Sequence, residues 1–254
     1  SQTLTTTVRT MKRRPKTLLN RNPDANTKIA KTQKGFNPFD KPIFMAHLNL
    51  FPDLITCPSS KAAKCLDPCL NLAGRGKFSN VQAARKAKTE FWHEDPDKFL
   101  ELLDHEISLH EAARAKKGQQ SVIRLNVTSD IAWEDHGIIQ NHPDTFFYDY
   151  TKRAKRIDRT PENYKLMFSY SGEPKYQKQV AIAKKTDAPI AVVFRHKLPD
   201  YFDKLDRQVK DGDQTDLANA FSGPVVVGLL AKGPAKNDRS HFVQDVDRIP
   251  VTMG

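Results

Sequence analysis

The chain has 254 residues, of which 38% are hydrophobic and 28% are charged, a composition typical of globular proteins. Its apolar runs are far shorter than the roughly 20 residues that a membrane-spanning helix requires. The basic first residues also lack the apolar core of a secretory signal, so we expect a cytoplasmic protein without a membrane segment.

The net charge of +11 is concentrated near the start of the chain. Residues 1–40 contain nine Lys or Arg and two Asp, a net charge of +7, so residues 41–254 carry only +4. Because residues 1–40 lack helical or strand periodicity, we interpret them as an extended basic arm that precedes one α/β domain. Such an arm either binds DNA or RNA through its phosphates or is only solvated. The candidate nucleic-acid contacts are Arg9, Lys12, Arg13, Arg14 and Lys16.

The rest of the chain alternates apolar strands with helical segments. Strands are predicted at residues 43–50, 122–127, 146–150, 164–170, 189–194 and 225–230. One helix is predicted to begin at Ser79, and a second begins at Asp95, with Pro96 in its first turn, and ends at Gly118. This alternation predicts a mostly parallel sheet in a single domain, 41–254, or an incomplete parallel β/α barrel.

All three cysteines of the chain fall in one loop, at Cys57, Cys65 and Cys69. An odd number of cysteines argues against a disulfide framework. Thiolates are soft ligands that suit zinc or iron–sulfur clusters, and the nearby Lys61 and Lys64 favour the deprotonated thiols. The loop at 57–69 is therefore a candidate metal site.

The number of ligands separates the alternatives for this site. Structural zinc takes four protein ligands, and neither His47 nor His93 makes a recognised zinc spacing with the cysteines. Three cysteines fit a [4Fe–4S] cluster whose fourth iron takes another donor or a small molecule. Three unliganded thiols are the remaining interpretation.

Polar side chains gather where two neighbouring strands are predicted to end. Carboxyl ends of strands are where parallel sheets and barrels place binding sites, so we predict a cofactor-binding rim there. An ordinary strand-to-helix turn is the structural alternative. The candidate cofactor-binding residues are Arg124, Asn126, Thr128, Ser129 and Asp130 after one strand, and Asp149 and Lys152 after the next.

Six segments that follow one another along the chain carry a family resemblance: CPSSKAAKCLDPCLNLAGRGKFSNVQAARKAKTEFW, RLNVTSDIAWE, FFYDYTKR, YKLMFSYSG, VKDGDQTD and VVVGLLAKGPAKNDRSHFV. Together they resemble the bacteriophage gene product 88 family over roughly residues 44–244. The resemblance implies a phage protein that acts in the cytoplasm of an infected bacterium. The basic arm and surface indicate a polyanionic partner, either DNA or RNA or an acidic host protein. Members of this family are often labelled as rolling-circle replication proteins, which gives the alternative of a DNA-binding replication protein with a structural metal site.

The order of strand, three-cysteine loop, helices and barrel-like strands is similar to that of radical S-adenosylmethionine enzymes. That resemblance implies a [4Fe–4S] cluster held by Cys57, Cys65 and Cys69 on a partial barrel, with S-adenosylmethionine as a second ligand. The spacing C-x7-C-x3-C departs from the C-x3-C-x2-C that is usual in those enzymes. The leading hypothesis is therefore a phage iron–sulfur protein, with zinc as the alternative metal.

Overall fold

The computed structural model describes residues 14–69, 71 and 74–246. Its helices are α1 (Thr27–Lys34), α2 (Ser60–Ala63), α3 (Ser79–Glu94), α4 (Pro96–Ala115), α5 (Gln177–Ala183) and α6 (Asp216–Ala220). Its strands are β1 (Ile43–His47), β2 (Gln120–Arg124), β3 (Thr145–Thr151), β4 (Tyr164–Ser169), β5 (Ile190–Phe194), β6 (Tyr201–Phe202), β7 (Arg207–Asp211), β8 (Val226–Leu230) and β9 (Val243–Gln244). Among these residues, no helix is long and apolar enough to cross a bilayer.

The strands form one open sheet in the order β1-β2-β3-β4-β5-β8-β7-β6, and β9 adds to β5. Every pairing between these strands is parallel except that of β6 with β7. The prediction of an α/β domain with a mostly parallel sheet is confirmed. The sheet does not close on itself, because its ladder ends at β1 on one side and at β6 on the other.

Strand alternation gives the sheet two differently covered faces. Residues such as Ala46, Ile123 and Phe147 pack under α3 and α4, and Val192 and Phe194 pack in a core shared with α5. We call this the outer face. The opposite face, here the inner face, packs Met45, Val122, Phe146 and Tyr148 against α1 and α6.

Part of the predicted arm belongs to the body of the domain. The buried carboxylate of Glu106 on α4 accepts the backbone N–H groups of Leu18 (3.0 Å) and Leu19 (2.7 Å), and Lys88 Nζ donates to the Leu18 carbonyl. Both leucines are buried. Helix α1 then packs on the inner face, capped by the Asn26 side chain. The segment resisted prediction because one short amphipathic helix in a polar stretch gives little periodicity.

The basic residues proposed as nucleic-acid contacts divide into two groups. Arg9, Lys12 and Arg13 lie outside the described residues. Arg14 forms an ion pair with Asp95 (2.8 Å) and lies over the Phe91 ring, whereas Lys16 is exposed. Arg14 is thus engaged with the domain, and Lys16 is open to solvent.

We expect Glu106→Ala to lower the free energy of unfolding by about 2–3 kcal/mol, because it removes the acceptor of buried N–H groups. The measurement is urea unfolding followed by tryptophan fluorescence. The matched control is Glu101→Ala on the same helix, whose exposed carboxylate contacts Lys98 and should change stability by less than about 0.5 kcal/mol. Equal effects of the two variants would show that Glu106 does not hold the N-terminal segment.

Two buried histidines predict how stability changes with pH. Burial lowers the pKa of His47 and of His110 to about 4, and nearby cations add to the effect. The unfolded chain therefore takes up protons first as the pH falls below 6.5, the ordinary pKa of histidine. We expect the free energy of unfolding to fall between pH 6.5 and about 4, by on the order of 3 kcal/mol per histidine. Urea midpoints measured across this range test the prediction.

A pair of variants on α4 isolates the contribution of one imidazole. His110→Gln should reduce the slope of the free energy of unfolding against pH by the contribution of about one proton. His105→Gln should leave the slope unchanged, because His105 is exposed on the same helix. If both variants keep the wild-type slope, His110 is not the titrating group.

Candidate metal centre and binding cavity

A cavity of about 220 Å³ lies on the inner face, toward the carboxyl ends of the parallel strands. Its floor is made by inward-facing residues of successive strands: Arg124 of β2, Tyr150 of β3, Ser169 of β4, Ala191 and Val193 of β5, and Leu229 of β8. The floor is thus polar under β2–β4 and apolar under β5 and β8. Parallel α/β sheets place ligand sites at this edge.

The cysteine loop closes one side of the cavity, and all three thiols line it. Cys57 Sγ lies 3.7 Å from the Thr128 carbonyl oxygen, and the Asn71 N–H donates to Cys69 Sγ at 3.4 Å. Helix α2 lies between Cys57 and Cys65 in the chain. Lys64 caps its carboxyl end with a left-handed φ of 49°, and this turn brings Cys65 back to the cavity. Two residues that contact the loop, Thr128 and Asn71, therefore hold its ends.

The thiols lie in a buried setting with basic neighbours. Burial raises the pKa of Cys57, and Cys69 and Asp130 raise it further. Burial also raises the pKa of Cys65 and of Cys69, while the Lys152 ammonium opposes both shifts. The free thiols are therefore protonated near neutral pH. The Lys152 ammonium stabilises a thiolate at Cys65 or at Cys69.

Two buried polar atoms on the cavity wall lack a hydrogen-bond partner among the described residues. They are Ser60 Oγ, between Cys57 and Cys65 in the chain, and Arg124 Nε on the floor. Ser60 is 2% exposed and Arg124 is 7% exposed. Arg124 Nε nevertheless forms an ion pair with the Asp149 carboxylate at 3.7 Å, which leaves Ser60 Oγ available for a further hydrogen bond.

The cysteines do not converge as ligands of one ion do. In the described part of the chain, no group of three His, Cys, Asp or Glu residues has the spacing of a single metal-ion site. Thiolates around one zinc lie roughly 3.8 Å apart, from a zinc–sulfur bond of about 2.3 Å. His93 pairs with Asp53 at 3.2 Å, and His47 is not among the described residues that line the cavity.

The segment after β2 is held in place by its own side chains. Asn126 Oδ1 accepts from Ser129 Oγ (2.8 Å) and from Trp133 Nε1 (3.1 Å). Asp130 accepts from Arg156 Nη1 (2.6 Å), and Thr128 Oγ1 donates to the Leu50 carbonyl. These contacts fit the alternative of a structural turn, although all four segment residues also line the cavity.

Of the seven predicted cofactor-binding residues, six line the same cavity as the cysteines. They are Arg124, Asn126, Thr128, Ser129, Asp130 and Lys152. Asp149 is not among the described lining residues, because it faces the outer side of β3. There it accepts from the Asn126 N–H (2.8 Å) and from Tyr164 Oη (2.9 Å), and burial raises its pKa to about 7.

One wall of the cavity comes from parts of the chain that the sequence analysis did not place there. Asp216 of α6 accepts from Lys28 (3.1 Å), Arg124 (2.8 Å) and Tyr150 (2.8 Å). Burial alone would raise the pKa of Asp216, but the cations of Lys28 and Arg124 hold that pKa below its usual range. Lys28 precedes Asp216 by 188 residues, so no local pattern signals the pair.

Lys152 stands where the polar and apolar parts of the cavity meet. Its ammonium donates to Ser169 Oγ at 2.7 Å and lies 4.7 Å from the centre of the Phe242 ring. Phe242 joins Ala235 and Leu230 in the apolar wall. A bound group would thus meet a cation, three thiols and an apolar surface.

These features define a class: an open parallel α/β domain with a thiol-lined cavity at the carboxyl ends of its strands. The family model described as Gene product 88 matches residues 17–246, so the chain belongs to this bacteriophage family. No curated protein and no solved structure shows significant similarity to the chain.

Proposed function

We propose that the protein binds an iron–sulfur cluster, of the [4Fe–4S] type, through Cys57, Cys65 and Cys69. The observation that carries the proposal is that all three thiols line one cavity together with the orphaned Ser60 Oγ. Such a cluster supplies one-electron chemistry and one coordination position for a further ligand.

The donor set favours a polynuclear group over one ion. Soft thiolates are the usual ligands of iron–sulfur clusters, and a cluster spreads its ligands over several metal atoms. In the described residues the three thiols share a cavity but do not form a metal-binding group, so the proposal requires the loop to rearrange around the cluster.

The charges around the thiols also favour an anionic group. Lys152 opposes the raised pKa of Cys65 and Cys69, and Arg85 opposes that of Cys69. Arg85 is anchored to the loop through Asn71, with Nη1 2.6 Å from Asn71 Oδ1. These two cations offset the negative charge of a thiolate-bound cluster.

The resemblance to radical S-adenosylmethionine enzymes extends the proposal to a second ligand. The open parallel sheet would correspond to a partial barrel, with the apolar wall beside Phe242 and the polar floor at Arg124 facing that ligand. The rolling-circle label gives the alternative, a DNA-binding protein whose metal only stabilises the fold.

The test is metal and sulfide analysis of protein purified without oxygen. The proposal predicts a brown protein that absorbs near 400 nm and contains about four iron and four sulfide per chain. Colourless protein with one zinc per chain would overturn it. Binding of S-adenosylmethionine to the iron-loaded protein, followed by calorimetry, supports the radical-enzyme version, and absence of binding refutes that version.

A further inference from the structure

The sheet edge that carries the cavity is surrounded by exposed basic side chains. We define the basic rim as Lys61, Lys64, Lys175, Lys236 and Arg239, all exposed and all in segments that follow β1, β4 or β8. Contacts join these segments, because α2 packs against residues 174–176 and Lys64 pairs with Glu173 at 3.2 Å. Ser60, Cys65 and Ala235 line the cavity and are next to Lys61, Lys64 and Lys236 in the chain, so the rim flanks the cavity.

A second depression continues the cavity along this edge. It has a volume of about 350 Å³ and is lined by Arg195, His196, Leu230, Ala231 and Lys236. Leu230 also lines the first cavity, so the two depressions adjoin. Of its lining side chains, Arg195 is already engaged with Asp245 and with the carbonyls of Lys236 and Asp238, whereas Lys236 is an exposed cation that can meet an anion.

Several carboxylates on this edge are already paired. Glu173 is buried against Lys64 and His241, Asp213 pairs with Lys232, and Asp245 pairs with Arg195. Lys236 and Arg239 are exposed beside them. The opposite edge of the sheet, where the strands begin, is mixed in charge: it exposes Lys41, Lys116 and Lys117 together with Asp40, Asp144, Glu162 and Asp187.

We infer that single-stranded nucleic acid lies across the basic rim and directs one base into the cavity. Phosphates repeat along a strand and match cations spread over two adjoining depressions, whereas an acidic protein face presents no such repeat. A base inside a duplex must leave the stack before it can enter a cavity, so an unpaired strand is preferred. Phe242 is 9% exposed and has the Lys152 ammonium over its ring, so it supplies an apolar wall at that point rather than a free stacking face.

The inference deepens the proposed function, because it names the partner of the same cavity, but the rim can bind the strand without a cluster. It also differs from the prediction that residues 1–40 are the nucleic-acid contact. The rim is built by the folded domain, far along the chain from that segment.

The test compares two triple variants of the full chain. Lys175, Lys236 and Arg239 are each changed to Glu in the rim variant, and Lys41, Lys116 and Lys117 are each changed to Glu in the matched control. Affinity for a labelled thymidine oligonucleotide of about 20 nucleotides is measured by fluorescence anisotropy at several salt concentrations. The rim variant should bind at least about tenfold more weakly, with a salt slope smaller by about 2, while the control should change little at physiological salt.

Four results would overturn the inference. They are equal loss of affinity in the two triple variants, tighter binding of the duplex than of the single strand, competition by polyglutamate as effective as that by the oligonucleotide, and complete loss of binding on deletion of residues 1–13 alone. Iron content is measured in the same rim variant. A rim variant that loses DNA binding but keeps the wild-type metal content shows that nucleic-acid binding by the rim does not depend on the proposed cluster.

Discussion

Replacement of Cys65 by alanine is expected to lower the iron content from about four atoms per chain to below one. Cys65 lies in the middle of the three thiols in the chain, and its side chain is held toward the cavity by the left-handed turn at Lys64. With two cysteines left, the cluster would lack half of its usual ligands. Iron and sulfide assays and the absorbance near 400 nm measure the loss, and Cys57→Ala and Cys69→Ala should behave alike.

The control for these variants is Ser59→Ala. Ser59 lines the same cavity but is not a proposed ligand, so its replacement should leave the iron content unchanged. Thermal unfolding of each metal-free variant checks that the domain still folds. A folded Cys65→Ala protein with a full complement of iron would refute the proposed ligand set.

Arg156→Met is expected to lower the free energy of unfolding by about 3–5 kcal/mol, one of the largest effects available in this chain. The guanidinium is 1% exposed and binds both oxygens of Glu134, at 2.8 and 2.9 Å, and Asp130 at 2.6 Å. Methionine fills a similar volume but leaves two buried carboxylates without their cation. The melting temperature should fall by roughly 6–20 °C.

Two further variants separate charge from packing at this position. Arg159→Met removes an exposed arginine whose partner Asp135 lies 3.5 Å away, and it should cost less than about 0.5 kcal/mol. Adding Asp130→Asn and Glu134→Gln to Arg156→Met should restore part of the stability, because amides tolerate burial without a cation. No recovery in the triple variant would mean that lost packing, not unpaired charge, explains the effect.

Asp130 links this buried network to the cavity. Its carboxylate also accepts from Thr151 Oγ1 (2.8 Å) and from the Lys152 N–H (2.9 Å). Arg156 therefore fixes Asp130, and Asp130 fixes the backbone of Lys152 beside the thiols. The polar segment after β2 serves to position the cavity wall, whether or not its side chains touch a ligand.

The secondary structure of the central domain was largely predictable because its signals are local. The two predicted helices correspond to α3 and α4. Asp95 caps α4, whose first residue is Pro96, by accepting the Lys98 N–H. Ser79 is instead the first residue of α3 and does not cap it, because Phe78 holds the N-cap position. Six predicted strands correspond to β1–β5 and β8. Strands β6 and β9 escaped because they have only two residues each, and β7 escaped because Val209 is its only apolar residue.

The N-terminal segment shows where local signals fail. Its lack of helical or strand periodicity predicted an extended arm, yet Leu18, Leu19 and Ile29 are buried. Their burial depends on Glu106, Lys88 and α6, which lie far along the chain, so hydrophobic contact and a paired carboxylate override a polar local sequence.

The sequence by itself determined the alternation of strands and helices, the grouping of three thiols in one loop and the polar residues at the ends of two strands. These depend on neighbours within a few residues, where spacing and composition act directly. Only the tertiary structure decided that Lys28 and Asp216 meet, that Asp149 turns away from the cavity and that the segments after β1, β4 and β8 come together. Parallel strands are joined by long connections, so residues that share one sheet edge are distant in the chain, and chain folding alone brings their charges together.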